Sequence, residues 1–160
     1  MMNVYEYAMK VEVEGERYYR DLANKTDDAG LKQVLTMLAD EEVKHFKAFE
    51  AMRNNAPVPR VDSVDVFANA KTIFQKLKDE GTTASFDKDQ VDFYEHALRL
   101  EEKSYEFYTQ KAAELEDPEQ KAAFLRIAEE EEQHKALMEN LIEYITHPER
   151  WIESAEFNNK

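Results

Sequence analysis

The amino-acid sequence predicts an all-α fold: a bundle of four long helices with an extended crossover between the second and the third. Three observations carry this. Apolar residues recur at alternating spacings of three and four along four segments, the period that lines up one face of a helix. The three glycines and four prolines among the 160 residues fall mostly where those segments should stop. The first two segments are joined by a short link, and so are the last two, whereas about thirty residues separate the middle pair.

The first helix is expected from about Asn3 to Lys25, with the stripe Tyr5, Ala8, Glu12, Gly15, Tyr19, Leu22. Asp27 or Asp28 then offers an N-cap for a second helix, which continues to about Asn54 along Leu31, Leu35, Leu38, Glu42, His45, Phe49 and Met52. The crossover spans about residues 55–87. Within it Val64, Phe67, Phe74 and Leu77, with Ala70 or Lys71 between, predict an amphipathic helix from about Ser63 to Asp79, whose apolar face needs a surface in its own bundle or a partner's. A third helix should start near Asp87 and carry Tyr94, Ala97, Glu101, Ser104 and Tyr108. Asp117 as N-cap and Pro118 at the first helical position open a fourth, which runs to about Thr146 along Phe124, Ile127, Glu131, His134, Met138 and Leu141. Residues 1–147 are therefore expected to form one domain, with 148–160 a short tail. In that tail Trp151, Ile152 and Phe157 are suited to packing on the bundle or on a second subunit. A long connection between the second and third helices, flanked by two short ones, is the ferritin-like topology.

Each apolar seam is interrupted by carboxylates. Glu12, Tyr19, Glu42 and His45 reappear 89 residues later as Glu101, Tyr108, Glu131 and His134. With a turn near Asp27, Glu12 and Glu42 both lie about fifteen residues from it, roughly 22 Å along each helix at 1.5 Å per residue. The second pair of helices repeats this about a turn near Glu116, so six side chains meet in one layer. Four buried carboxylates need positive charge, because desolvating an unpaired one costs many kcal/mol or forces it to take up a proton. Two divalent cations balance them, and two imidazoles complete the donor set. In each first stripe, a small residue after the glutamate (Gly15, Ser104) leaves room beside it.

A lone Glu-x-x-His is weak evidence here, since 24 of 160 residues are glutamate and a histidine has about a one-in-seven chance of one three places earlier. His96 and His147 follow Phe93 and Tyr144 at that spacing and read as surface or packing residues. The conjunction of repeat offset, apolar seam and equal height is what chance does not readily produce.

Composition narrows the alternatives. Without cysteine there are no disulfides, thiolate-bound zinc or iron–sulfur clusters. The remaining oxygen and nitrogen donors suit iron or manganese, with zinc a further occupant because raw affinity favours it. A formal charge of −14 argues against nucleic acid or an anionic membrane as the main partner. No apolar run approaches the roughly twenty residues of a membrane span, and the N-terminal stretch carries glutamates where a signal peptide has its apolar core, so a cytoplasmic location is expected.

At KVEVEGERYYRDLA, LADEEVKHF, LRLEEKSYEFYTQKA and IAEEEEQHKALMENLIEYI the chain resembles the rubrerythrin branch of the ferritin-like superfamily, and PERWIESAEF resembles a tail of its short members. The resemblance covers nearly the whole chain. It implies a dinuclear iron centre with Glu12, Glu42, His45, Glu101, Glu131 and His134 as ligands, and Tyr19 and Tyr108 as hydrogen-bond donors to ligand carboxylates. It also implies a non-haem oxidoreductase in which an Fe(II) pair reduces dioxygen or hydrogen peroxide. Three departures bear on that. Peroxide-reducing rubrerythrins carry an extra glutamate one turn beyond the third-helix ligand, where this chain has Ser104. Their four-cysteine rubredoxin module has no counterpart here, so electrons would come from a separate donor protein or from free Fe(II). Bacterioferritins, whose six-ligand arrangement is closer, place a haem-ligating methionine where this chain has Val43, so no haem is expected. The crossover and tail add apolar faces that predict a homodimer or small oligomer. The rival readings are an iron-binding or storage protein without dedicated turnover, and a metal-free helical interaction module.

Overall fold

In the computed structural model, which describes residues 3–59, 66–80 and 88–147, the chain forms five helices and, among the described residues, no strand. They are α1 (Val4–Lys25), α2 (Ala29–Arg53), α3 (Val66–Asp79), α4 (Lys88–Glu114) and α5 (Pro118–Thr146). The expected start of the crossover helix at Ser63 and the tail with Trp151, Ile152 and Phe157 lie outside the described residues.

Local chemistry sets the helix ends. Asn3 accepts from the Glu6 amide while Glu6 reaches back to the Asn3 amide, a capping box that satisfies two otherwise orphaned donors. Of the two candidate aspartates, Asp28 caps α2 by accepting from Leu31 N at 3.0 Å. Asp117 accepts from the Glu119 and Gln120 amides, and Pro118 opens α5. α2 ends where Asn55 turns to φ 57°, a left-handed conformation that asparagine tolerates better than most residues.

The helices pack as two antiparallel hairpins, α1 on α2 and α4 on α5, set side by side. Two apolar clusters fill the bundle. One, around Leu22, Leu31, Leu35, Leu38, Met138 and Leu141, lies toward the α1–α2 turn. The other gathers Ala8, Phe49, Met52, Tyr108, Phe124 and Ile127 toward the opposite end. Each large apolar side chain so buried contributes about 1.5–3 kcal/mol, and together they offset a polar layer held between them. The crossover helix belongs to this same bundle: Val66 and Ala70 are buried in the first cluster, with Ile73 packed against it, and α3 contacts α2 and α5. Val66 and Ile73 extend the expected apolar face around Ala70; Val64 and the side chains of Phe67, Phe74 and Leu77 lie outside the described residues. No helix among the described residues is long and apolar enough to cross a membrane.

Candidate metal centre

The polar layer between the two clusters contains Glu12 from α1, Glu42 and His45 from α2, Glu101 from α4, and Glu131 and His134 from α5. None of the six is more than 4% exposed. They form two groups, Glu12–Glu42–His45–Glu131 and Glu42–Glu101–Glu131–His134, in each of which one donor atom per residue lies within 4.8 Å of all the others. Glu42 and Glu131 belong to both groups. The two imidazoles stand nearly parallel, 5.9 Å apart.

Donors with lone pairs face one another here, and several have nothing to bond. Glu42 Oε1, Glu101 Oε2 and His134 Nδ1 are buried without a hydrogen-bond partner. Leaving such atoms unpaired typically costs about 1–3 kcal/mol each, and a cation among them relieves all three. Three carboxylate oxygens with one imidazole nitrogen is a donor set that divalent iron or manganese accepts. These residues fit a pair of metal ions.

The electrostatics carry the same message. Burial, with the charges of Glu12 and Glu101, lifts the Glu42 carboxyl well above its ordinary value. Burial, with Glu101, Glu42 and Glu12, does the same to Glu131. For Glu101 burial works in the same direction, but contacts with Glu131, His134 and Tyr19 outweigh it and hold the group down, to about 2. Burial would lower His45; its contacts with Glu12 and Glu130 overcome this and raise it well above 6.5. The layer thus resists carrying all its carboxylates ionised at once, a repulsion that bound cations would relieve.

Both tyrosines of the repeat reach the layer, and they do so crosswise. Tyr19 on α1 donates its hydroxyl to Glu101 Oε1 on α4, and Tyr108 on α4 donates to Glu12 Oε2 on α1 at 2.6 Å. Burial and the surrounding carboxylates push both phenols well above 10, so both remain donors across the working pH range.

Gly15 is small for a reason visible at Glu42. A Cβ at this position would stand 3.0 Å from Glu42 Oε2 and 3.2 Å from its carboxyl carbon, so any larger residue would make the carboxylate give way by a few tenths of an ångström. Gly15→Ala is expected to separate fold from site. Helix propensity favours alanine by about 1 kcal/mol, so the metal-free melting temperature should hold or rise. The displaced Glu42 should weaken metal loading, read as a smaller metal-induced rise in melting temperature than in the parent.

Beside Gly15 and Ser104 a cavity of about 230 Å³ lies between α1 and α4. Its floor includes Glu42, Glu101 and Glu131, and Tyr7, Val11, Leu100 and Phe107 are among its walls. Exposed Glu14 and Lys103 mark its mouth. At about 30 Å³ per water molecule, it is roomy enough for a diatomic oxidant and accompanying solvent. The Ser104 hydroxyl donates to Leu100 O of its own helix at 2.9 Å.

Two further carboxylates are buried beside the layer, and the helical stripes did not point to them. Glu130 sits 2.6 Å from His45 Nε2, and Glu41 pairs with Lys44 at 3.0 Å. Each directly precedes a shared glutamate, one step around the helix from the seam. Within the runs Glu41–Glu42 and Glu129–Glu132 an additional inward carboxylate leaves no periodic trace; its one available signal was that adjacency to Glu42 or Glu131.

A family model described as rubrerythrin matches residues 3–142 of the chain. No curated protein and no solved structure matches it.

Proposed function

The chain belongs to the rubrerythrin family, and on that premise we propose that it is a non-haem di-iron oxidoreductase that reduces dioxygen or hydrogen peroxide. One observation supports the proposal: two buried four-residue donor groups share Glu42 and Glu131, an arrangement that suits two ions held side by side. Bound there, two ferrous ions supply the electrons and the Lewis acidity for reducing an O–O bond.

The remaining work falls to the protein. Glu12 and His45 would hold one position, Glu101 and His134 the other, with Glu42 and Glu131 available to both. Tyr108 and Tyr19 fix the orientation of Glu12 and Glu101 by hydrogen bonds from phenols that stay protonated. The apolar clusters above and below exclude bulk water, and the cavity between α1 and α4 admits the small oxidant from one side. The source of reducing equivalents proposed here is a separate donor protein or Fe(II) as substrate.

Anaerobic loading with Fe(II), followed by stopped-flow mixing with air-saturated or peroxide-containing buffer, tests this. Oxidation by either oxidant with repeated turnover on re-reduction is expected; loading without turnover would instead indicate iron storage. Because Ser104 is bonded to its own helix, it offers no extra ligand, and peroxide should not outpace dioxygen by orders of magnitude. Ser104→Glu should move the preference toward peroxide. A strong peroxide preference in the unaltered protein would show that this position does not limit the chemistry.

A further inference from the structure

We propose that the two metal positions are unequal by construction: the Glu12/His45 position is a tight, resident site that fills first, and the Glu101/His134 position is an exchangeable one. The proposal rests on the di-metal reading and adds a division of labour that the six-residue ligand pattern, symmetric in the repeat, does not contain.

The asymmetry lies in the residues behind the ligands. His45 is held at both ring nitrogens. Its Nε2 is 2.6 Å from Glu130 Oε1, while Nδ1 faces Glu12 at 2.7 Å and Glu131 at 3.0 Å. Glu130 is itself buried and has Arg126 Nε 3.5 Å from its other oxygen. A carboxylate at the outer nitrogen fixes the rotation of the ring and directs the lone pair of the inner nitrogen at the site.

Glu41 occupies the place of Glu130 in the repeat, yet it does not brace His134. It pairs with Lys44 on its own helix at 3.0 Å, and its Oε1 is buried without a partner. His134 Nδ1 likewise has no hydrogen bond and stands 3.5 Å from Glu42 and 3.8 Å from Glu101. The sequence difference behind this is specific. Where the second hairpin has Arg126 and Gln133, the first has Met37 and Lys44 at the same offset of 89, so Glu41 lacks the arginine and is drawn to the lysine instead.

Access divides in the same way. The cavity between α1 and α4 has Glu101 and the shared Glu42 and Glu131 in its lining, but not Glu12 and neither histidine. Of the two unshared glutamates, the one belonging to the unbraced position is therefore the one that faces the way in.

Titration of metal-free protein with Co(II), followed by calorimetry and by the visible absorption of the bound ion, tests the proposal. Two steps of one ion each are expected, with affinities separated by at least about tenfold. Glu130→Gln, which keeps shape but loses charge, should weaken the first step by about 10–100-fold and leave the second within a few-fold. Glu101→Gln should remove the second step and spare the first, which keeps the assignment testable if the Glu130 variant folds poorly. Two ions binding with one affinity, or loss of the first step in Glu101→Gln, would overturn the inequality while leaving the dinuclear reading intact. No binding at all would overturn both.

Discussion

Stripping metal from the protein is expected to lower its melting temperature by about 10–20 °C, and the gap should widen as pH rises. A ligand that binds only the folded state adds about 2.7 kcal/mol at a free concentration one hundred times its dissociation constant, and two positions double this. For a chain of this size each kcal/mol moves the midpoint by about 2–4 °C. The pH dependence follows from the layer itself. Glu42, Glu131 and His45 bind protons more tightly folded than unfolded. Each therefore contributes stability that is fully present below its unfolded value and lost as pH rises through its folded one. Glu101, held down to about 2, behaves oppositely; its contribution is present above the ordinary carboxylate range and is lost only in strong acid. As pH rises past the ordinary carboxylate and imidazole values and through these raised ones, the metal-free protein should thus lose stability. Metal affinity moves the other way, because the same groups must release protons to bind an ion. Melting curves with and without chelator across this range give the measurement. A metal-induced shift that is absent, or that shrinks with rising pH, would contradict the assignment.

Glu42→Gln is expected to stabilise the metal-free protein while largely abolishing loading. Glu42 belongs to both donor groups, carries a buried oxygen without a partner, and is surrounded by carboxylates that resist its ionisation. A neutral amide of the same shape spares the proton uptake that burying this carboxyl otherwise requires, and brings hydrogen-bond donors into an acceptor-rich layer. Relieving one such buried group is worth about 1–3 kcal/mol, or several degrees of melting temperature. Losing a shared ligand should cost more affinity than the about 10–100-fold that follows from losing an outer partner. Opposite movement of metal-free stability and metal stoichiometry in one variant is the signature of a residue retained for binding. A variant that melts lower without metal and still loads two ions would show that Glu42 serves the fold instead.

Much of the architecture was legible in the sequence because the relevant signals are local. Asn3, Asp28 and the Asp117–Pro118 pair announce helix starts through their own chemistry, and the seams are read from spacing alone. The six donor residues were legible because they interrupt apolar stripes, where a carboxylate is conspicuous. Glu130 and Glu41 were not, since neither interrupts a stripe and both are hidden among other glutamates; only the packed bundle distinguishes them from their exposed neighbours Glu129 and Glu132. The surface covered by the crossover helix was equally out of reach of spacing, which defines an apolar face but not what lies against it.

The division of the donors between hairpins also bears on folding kinetics. Neither hairpin contains a complete metal position: Glu12, Glu42 and His45 need Glu131, and Glu101, Glu131 and His134 need Glu42. Packing within each hairpin is local and extensive, whereas the two hairpins meet more sparingly. Contacts close in sequence tend to form early, so α1–α2 and α4–α5 are expected to assemble before they dock. An ion that bridges them is bound only afterwards, and interactions absent from the transition state slow unfolding without speeding folding. Metal concentration is therefore expected to set the lifetime of the docked bundle and to leave the rate of hairpin formation unchanged.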